Sequence, residues 1–275
     1  MQVVETIAAM RGARRGFEGL GFVPTMGFLH QGHLSLVARA KCECGAAAVS
    51  IFVNPTQFGP NEDLARYPRD LPRDLALLRE AGADVVFTPQ PAEIYPPGFA
   101  TAIDVGPVAD PLEGASRPGH FSGVATVVAK LFNIVQPTRA YFGQKDAQQT
   151  VVIRRMARDL DMPLEVVVAP TVREADGLAM SSRNTYLSPE QRGTATVLFR
   201  ALSEAERRFA AGERDGEALR RAMLAVLAQE PAAQVDYVSV ADPDTLKELQ
   251  RIERGALASM AVRIGATRLI DNLLL

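Results

Sequence analysis

The feature that most limits the possible folds of this chain is the alternation of short apolar runs with amphipathic segments over its first two-thirds. The run at 46–53 is typical of a strand buried on both faces, whereas 69–81 has helical periodicity. The predicted strands are 19–23, 46–53, 84–88, 139–142 and 164–169, and the predicted helices are 34–43, 69–81, 124–135 and 147–160. Because short links join strands and helices in turn, we expect βαβ units in a parallel, doubly wound sheet.

The pattern changes after about residue 172, which predicts a second domain. Ser188 and Pro189 form a helix start, and one long helix is expected to run from there until Gly212 ends it. A second helix is predicted at 216–230, strands at 235–241, 256–264 and 267–273, and a turn at 265–266. Helices followed by strands favour a smaller α+β domain. The predicted domains are therefore 1–172 and 173–275.

Composition excludes several classes of protein. The formal net charge of the 275 residues is −2, which provides no overall attraction to nucleic acid or to an anionic membrane. No apolar stretch is long enough to cross a bilayer, and residues 1–11 do not resemble a signal peptide. The only cysteines, Cys42 and Cys44, are too few for a disulfide framework or a zinc site. A reduced, cytoplasmic enzyme that binds no nucleic acid and no membrane is expected.

The first segment that indicates chemistry is 24–33, between a predicted strand and a predicted helix. It contains His30 and His33, two of the three histidines of the chain, and the glycines Gly27 and Gly32. A helix start with free backbone N–H groups favours phosphate, and two imidazoles beside it can donate hydrogen bonds to developing charge. A turn with two solvated histidines is the plain alternative. Metal binding is the other, although two histidines without carboxylates make a poor zinc site.

Two further segments follow predicted strands, where ligands bind in doubly wound sheets. In 52–60, Asn54 and Gln57 are neutral amides suited to a small hydroxy acid or an amine, although the segment also fits an ordinary loop. In 143–149, Lys145 suits phosphate, and Asp146 fits a helix cap, ribose hydroxyls or a magnesium-bound water. Gln149 lies three residues after Asp146, on the same helical face.

Two loops complete the set of candidate segments. The stretch 113–124 contains three glycines, Arg117 and His120 before an apolar helix, which favours a pocket wall over a plain connection. The stretch 177–184 contains two serines followed by Arg183, and Arg183 can donate several hydrogen bonds to a triphosphate. A polar linker is the alternative for this second loop, but a linker does not need so many phosphate donors.

These segments together resemble one enzyme family. The stretches 30–33 and 180–183 are similar to the two motifs of the HIGH-motif nucleotidyltransferases. Segments 24–27, 54–59, 117–124, 143–149, 171–184 and 266–272 resemble the pantothenate synthetases, or pantoate–β-alanine ligases, in order and spacing over nearly the whole chain. The resemblance implies a Rossmann-like domain with a C-terminal lid, usually in a homodimer. It implies that (R)-pantoate, β-alanine and ATP with Mg²⁺ form pantothenate, AMP and pyrophosphate through a pantoyl adenylate.

The same resemblance implies roles for individual residues. His33 corresponds to the proton donor, and His30, Lys145 and Arg183 complete the predicted catalytic set. Gln57 is predicted to contact pantoate and β-alanine, Gln149 to contact pantoate, and Asn54 to contact substrate as well. Asp74 falls where an acidic residue associated with the metal lies. The predicted ATP contacts are Met26, Gly27, Phe28, Leu29, His30, Gln31, Gly32, His33, Gly143, Gln144, Lys145, Asp146, Val172, Met180, Ser181, Ser182 and Arg183.

The sequence also leaves three other functions open. An adenylyltransferase that stops at a nucleotide product would release pyrophosphate without AMP. A tRNA-charging or nucleic-acid-binding module would need a basic region, which a net charge of −2 does not favour. A catalytically inactive binding protein would have no reason to keep the full set of phosphate donors. AMP formation with and without β-alanine separates the first of these functions from the ligase.

Overall fold

A six-stranded parallel sheet forms the centre of the first unit, as the strand–helix alternation predicts. The computed structural model describes residues 1–60 and 62–275 and divides into two units, Met1–Gly143 with Val152–Pro170, and Gln144–Val151 with Thr171–Leu275. The strands are β1 (Gln2–Val4), β2 (Gly21–Thr25), β3 (Ala47–Ile51), β4 (Val85–Phe87), β5 (Arg139–Gly143) and β6 (Glu165–Ala169). Their order is β1-β4-β3-β2-β5-β6, and all pairs are parallel.

Helices connect these strands. They are α1 (Ile7–Arg14), α2 (Gln31–Cys44), α3 (Leu71–Glu80), α4 (Pro91–Ile94), α5 (Glu113–Ser116), α6 (His120–Val135) and α7 (Ala147–Asp159). The predicted helix at 124–135 begins four residues earlier, because Gly119 takes the left-handed conformation (φ +81°) that starts it. β1 and α1 were not among the predicted elements, since a three-residue edge strand leaves little periodic signal.

The chain reverses direction across the sheet between β2 and β5. From β2 it proceeds outward through β3 to β4, and later continues with β5 on the other side of β2. β2 and β5 pair only at Gly21–Arg139 and Phe22–Ala140, so the two strands separate toward their carboxyl ends. Such a switch point is where doubly wound sheets bind ligands. The segment that contains His30 and His33 follows β2 directly at this edge.

The second unit contains the start of α7, three complete α-helices and an antiparallel sheet. The complete helices are α8 (Pro189–Thr194), α9 (Val197–Ala210) and α10 (Gly216–Leu227), and the strands are β7 (Ala233–Ala241), β8 (Leu257–Ile264) and β9 (Thr267–Leu274). The strand order is β7-β8-β9, and the turn at Gly265 has φ +60°. α9 and α10 cover one face of the sheet with a core of fully buried residues such as Leu202, Met223 and Met260.

The prediction of one long helix before Gly212 is wrong. The chain forms two helices, α8 and α9, which are separated at Ala195 and Thr196. Gly193 is a weak helix former, and the Thr196 hydroxyl donates to the Gly193 carbonyl at 2.8 Å, which takes an acceptor away from the helical ladder. The Ser188 cap itself is present, since Ser188 and Gln191 form a reciprocal capping box.

The parallel sheet and the smaller antiparallel sheet confirm the predicted fold class. The boundary predicted between residues 172 and 173 stays a prediction. Among the described residues, no helix combines the length and the apolar character needed to cross a membrane.

Candidate active site

The loop between β2 and α2 has an unusual backbone. Gly27 (φ +85°) and Phe28 (φ +51°) are both in the left-handed region, which glycine adopts freely and phenylalanine adopts at a cost. A β-carbon at position 27 would lie 3.0 Å from the Ile51 side chain and 3.1 Å from Oδ2 of Asp74. Surrounding contacts must therefore hold this loop in place, and a side chain at position 27 would crowd Ile51 and Asp74, one of which would have to shift.

His30 and His33 cap the start of α2 and lie against each other. His30 precedes the helix, and its Nδ1 accepts from the Gly32 N–H at 3.2 Å, while His33 Nδ1 accepts from the His30 N–H at 3.3 Å. Their ring centroids are 4.1 Å apart. Because each Nδ1 accepts a hydrogen bond, a neutral imidazole carries its proton on Nε2. The caps thus fix the tautomer in which Nε2 is the donor.

Asp74 occupies the N–H groups of this loop that were expected to be free. Its Oδ2 accepts from Phe28 N–H at 2.7 Å and its Oδ1 accepts from Leu29 N–H at 2.8 Å, and its side chain is almost fully buried. Burial raises the pKa of Asp74, and the two N–H donors and Arg73 offset this only in part. The backbone amides at 28 and 29 are therefore not free phosphate donors. The magnesium role of Asp74 stays a prediction.

Gln57 lies beside the same loop and is held by Asn54. Gln57 Nε2 is 3.2 Å from the Met26 sulfur, so the segments 24–33 and 52–60 meet. Asn54 is 1% exposed, and its Nδ2 donates to Gln57 Oε1 and to the Gly123 carbonyl, both at 3.2 Å. Its Oδ1 accepts from Tyr95 OH at 2.8 Å. Both polar groups of Asn54 are occupied, so this residue supports Gln57, and its predicted contact with substrate stays a prediction.

Arg117 and His120 fix the backbone of Gln57. His120 Nδ1 donates to the Gln57 carbonyl at 2.8 Å, and Arg117 donates to His120 Nε2 at 3.0 Å and to both oxygens of Glu62 at 2.6 Å. Nε2 must be the acceptor because a guanidinium can only donate. Burial, and then the charge of Arg117, lower the pKa of His120 to about 4. The 113–124 loop is thus hydrogen-bonded to the Gln57 backbone, and its role as a pocket wall stays a prediction.

The depressed pKa of His120 predicts a pH dependence of stability. The unfolded chain takes up this proton near pH 6.5 and the folded chain only near pH 4, so stability falls as pH decreases between these values. We expect the wild type to lose about 2–3 kcal/mol from this group between pH 6.5 and 4.5. His120→Asn keeps a donor for the Gln57 carbonyl and does not titrate. Urea unfolding at both pH values measures the difference, and equal losses in the two proteins would contradict the assignment.

The second unit contains the predicted lysine and its neighbours. Lys145 lies in a 3₁₀ turn, Gln144–Asp146, that leads into α7. Its side chain is 19% exposed, and its Nζ is 3.7 Å from Asp146, beyond hydrogen-bond distance. Gln144 Nε2 donates to Asn272 Oδ1 at 3.1 Å. Gln149 is half-buried in the first turn of α7. The ammonium group of Lys145 is thus not hydrogen-bonded to the carboxylate of its own turn.

The loop that contains Met180 and Arg183 begins as a short hairpin. The Met180 N–H donates to the Val172 carbonyl at 3.0 Å, and Arg173 pairs with Ala179. Arg173 also donates to the Gly177 carbonyl at the turn (3.0 Å). A 3₁₀ helix, Ser182–Tyr186, follows, and Ser181 caps it by accepting from the Arg183 N–H at 3.2 Å. The hairpin brings the predicted ATP contacts at 172 and 180 side by side.

Comparison with known proteins identifies the family. A family model described as pantoate-beta-alanine ligase matches residues 2–274. The chain belongs to the pantoate–β-alanine ligase family. The pantothenate synthetase of Herpetosiphon aurantiacus is 67% identical, with all of both chains covered. That of Roseiflexus castenholzii is 66% identical, with 100% of this chain and 99% of the relative covered.

Solved structures of this ligase family have the same fold. The pantothenate synthetase of Thermus thermophilus superimposes with a TM-score of 0.96 at 54% identity, and 99% of each chain is covered. The pantoate-beta-alanine ligase of Francisella tularensis, complexed with beta-gamma ATP and beta-alanine, gives a TM-score of 0.80 at 35% identity over 100% of this chain and 97% of that chain. The expected family and fold are thereby confirmed.

Several supporting residues of this ligase were not predicted as site residues. Tyr95, Glu62 and Asp271 hold Asn54, Arg117 and Arg173 respectively, across 41, 55 and 98 positions in sequence. Asp74 was predicted, but for a different role. Hydrogen bonds between such distant residues leave no periodic signal in one sequence. Of these supporting residues, only Asp271 lies in a segment that the sequence singled out, because 266–272 resembles the C-terminal motif of the family.

Proposed function

We propose that this chain condenses (R)-pantoate with β-alanine to form pantothenate, with ATP converted to AMP and pyrophosphate. The observation that carries the proposal is the 67% identity with a pantothenate synthetase over all of both chains. The complex of the Francisella tularensis relative with beta-gamma ATP and beta-alanine agrees with two of the three substrates.

The first step transfers an adenylyl group. A pantoate carboxylate oxygen attacks the α-phosphorus of ATP, the bond from that phosphorus to the bridging oxygen breaks, and pyrophosphate leaves. Because the nucleophile is already anionic, catalysis depends on positioning and on charge stabilisation. We assign the charge stabilisation to the Nε2–H groups of His30 and His33, to Lys145, and to Ser181, Ser182 and Arg183.

The second step joins the amine. The β-alanine nitrogen attacks the acyl carbon of the pantoyl adenylate, the bond to the phosphate oxygen breaks, AMP leaves, and the amine loses a proton. We assign pantoate contacts to Gln57 and Gln149, with Asn54 fixing the Gln57 side chain through its 3.2 Å hydrogen bond. The fixed Nε2–H tautomer of His33 allows it to donate to a phosphate oxygen. No covalent enzyme intermediate is required.

Magnesium enters this proposal as part of the nucleotide substrate. Among the described residues, no group of three or more histidine, cysteine, aspartate or glutamate side chains is placed to hold a metal ion. Both oxygens of Asp74 accept backbone N–H groups. Mg²⁺ commonly keeps several waters and binds substrate phosphates with few protein carboxylates. The half-exposed Asp146 is the carboxylate we assign to a magnesium-bound water.

Two further properties are part of the proposal. A homodimer and a cytoplasmic location are both inferred from the family resemblance, and both cysteines are free, in agreement with a reducing compartment. Light scattering of the purified protein measures the mass in solution. A mass of one chain of 29.7 kDa would contradict the dimer.

The adenylate intermediate predicts chemistry in the absence of the amine. With ATP labelled with ¹⁸O at the α–β bridge and with pantoate but no β-alanine, the label is expected to move into non-bridging positions of the β-phosphate. Rapid quenching of a single turnover should in addition reveal an acyl adenylate, even where pyrophosphate stays bound. A reaction without pantoate is the control.

The outcomes of this experiment separate the candidate functions. AMP that forms only when β-alanine is present, together with isotope exchange in its absence, supports the ligase. Pyrophosphate release without AMP supports an adenylyltransferase. Neither isotope exchange nor trapped adenylate, in a protein that does make pantothenate, overturns the stepwise mechanism.

A further inference from the structure

Two consecutive polar residues near the end of β9 are buried within the second unit. Asp271 is 2% exposed and Asn272 is 4% exposed. Successive side chains of a strand point to opposite faces of the sheet, so the side chains of Asp271 and Asn272 contact different parts of the unit. Asp271 is paired across the sheet with Met260, on the face covered by α9 and α10. Asn272 is paired with Ser259 on the other face.

The Asn272 side chain is bonded to the turn that contains Lys145. Its Nδ2 donates to the Lys145 carbonyl at 2.8 Å and to the Gln144 carbonyl at 3.0 Å, and its Oδ1 accepts from the Gln144 side chain. The orientation of the amide is unambiguous, because two carbonyl oxygens can only accept and must face the nitrogen. Three hydrogen bonds from one buried side chain thus fix the backbone from which the Lys145 side chain extends.

The Asp271 side chain is bonded to the hairpin that leads to Arg183. Its two oxygens accept from the two terminal nitrogens of Arg173, at 2.7 and 2.9 Å. The Arg173 guanidinium also lies 4.5 Å from the centre of the Phe199 ring. Arg173 is in the first strand of the hairpin and donates across it to the Gly177 carbonyl. A bidentate, stacked and buried pair of this kind allows little movement.

We propose that Asp271 and Asn272 are positioning residues for the reaction: Asn272 sets the place of Lys145, and Asp271 sets the place of the Ser181–Arg183 loop. Both segments are held by neighbouring positions of one strand, so the distance between these phosphate donors is determined by the β9 backbone. This inference rests on the proposed contact of these donors with the ATP phosphates. Neither Asp271 nor Asn272 is proposed to touch substrate.

A rigid common support has a physical advantage for this chemistry. Stabilisation of charge in a transition state depends on donors that are already in position, and a displacement of about 1 Å can cost about a hundredfold in rate. The lysine side chain is flexible but has a fixed length. The position of its backbone therefore sets the region that its ammonium group can reach. Loss of the Asn272 hydrogen bonds should therefore affect ATP-dependent steps far more than contacts with the amine.

The test compares Asn272→Ala with Ser259→Ala. Ser259 is the cross-strand neighbour of Asn272, is 5% exposed, and its hydroxyl has no hydrogen-bond partner among the described residues. Asn272→Ala is expected to lower kcat/KM for ATP about a hundredfold and to leave the KM for β-alanine near the wild-type value. Ser259→Ala should match the wild type. Thermal unfolding and circular dichroism establish that both variants are folded.

Double substitutions decide whether each residue acts through its proposed partner. Asn272→Ala added to Lys145→Ala should cause little further loss, and Asp271→Asn added to Arg183→Ala should behave in the same way. Losses that multiply would overturn the assignment. So would an Asn272→Ala variant whose kcat/KM for ATP equals that of Ser259→Ala.

A direct binding measurement separates this inference from the proposed function. Calorimetric titration with a non-hydrolysable ATP analogue and Mg²⁺ reports nucleotide affinity without any reaction. If the wild type binds the analogue but makes no pantothenate, the proposed function fails. Weaker binding of the analogue by Asn272→Ala than by Ser259→Ala would in that case still support the positioning role. If the wild type makes pantothenate and the two variants bind equally and react equally, only the positioning role fails.

Discussion

Replacement of Lys145 with alanine is expected to lower kcat for pantothenate formation about 100- to 1,000-fold while the fold persists. The side chain is largely buried, yet among residues 1–60 and 62–275 its nearest acidic oxygen is 3.7 Å away, so no hydrogen-bonded ion pair is lost. A donor that is free of a strong partner can bind a phosphate oxygen without first breaking a bond. The effect should therefore appear in the rate and in the KM for ATP, measured by AMP release, and hardly in thermal unfolding.

Lys247→Ala is the matched control for the Lys145 variant. Lys247 is an exposed lysine of the same unit, so its removal changes the net charge equally without touching the proposed donors. The control should retain wild-type kinetics. A Lys145→Ala variant with near-normal kcat would remove this residue from the catalytic set, and a loss shared by both variants would point to overall charge instead.

Replacement of Asp74 with alanine is expected to destabilise the protein by roughly 2–5 kcal/mol and to abolish most activity. The carboxylate accepts the N–H groups of Phe28 and Leu29. Loss of the acceptor leaves two N–H groups without their partner in the loop where Phe28 has a positive φ, at about 1–3 kcal/mol each. Released from Asp74, the loop should no longer present His30 and His33 in one place. Urea unfolding and AMP release measure both effects.

The dependence on magnesium distinguishes this structural role of Asp74 from the metal role predicted from sequence. For this purpose Asp74→Asn is the better variant, because an amide keeps one acceptor and the volume of the side chain. If Asp74 positions the loop, stability and kcat fall while the Mg²⁺ concentration for half-maximal rate stays constant. If Asp74 binds the metal, that concentration rises and the free energy of unfolding changes little. Asp70→Asn, a change at the exposed N-cap of α3, is the control for charge near this site.

The periodic elements were predictable because their signal is local. The strands from β2 to β6 and the long helices α2, α3, α6 and α7 follow from apolar runs and helical spacing, and they were found to within a few residues. The four-residue helices α4 and α5 were not predicted, because one turn is too short to show helical periodicity. The break between α8 and α9 was missed because Gly193 and two threonines weaken a helix only modestly. Whether such a stretch breaks depends on its surroundings, which one sequence does not contain.

The sequence indicated the candidate segments but not the hydrogen bonds that support them, and the binding of substrate by these segments stays a prediction. The segments with His30, Gln57, Lys145 and Arg183 were recognisable because each lies at a predicted element boundary and resembles a family motif. Asn54 was predicted to contact substrate, yet its amide is occupied by Gln57, Gly123 and Tyr95. A motif shows which residues are close together in the chain. It does not show which of them are already bonded to one another.

By itself, the sequence determined the class of fold, the family, and the segments that carry polar chemistry, since local periodicity and motif spacing are properties of neighbouring residues. Only the tertiary structure decided which hydrogen-bond partner each of these polar groups has. In the folded chain, the N–H groups at 28 and 29 donate to Asp74, and the backbone caps fix the tautomers of His30 and His33. The Asn272 side chain donates to the Lys145 carbonyl across 127 positions in sequence. A buried polar group must find a partner, and which partner it finds depends on the folding of distant segments onto each other.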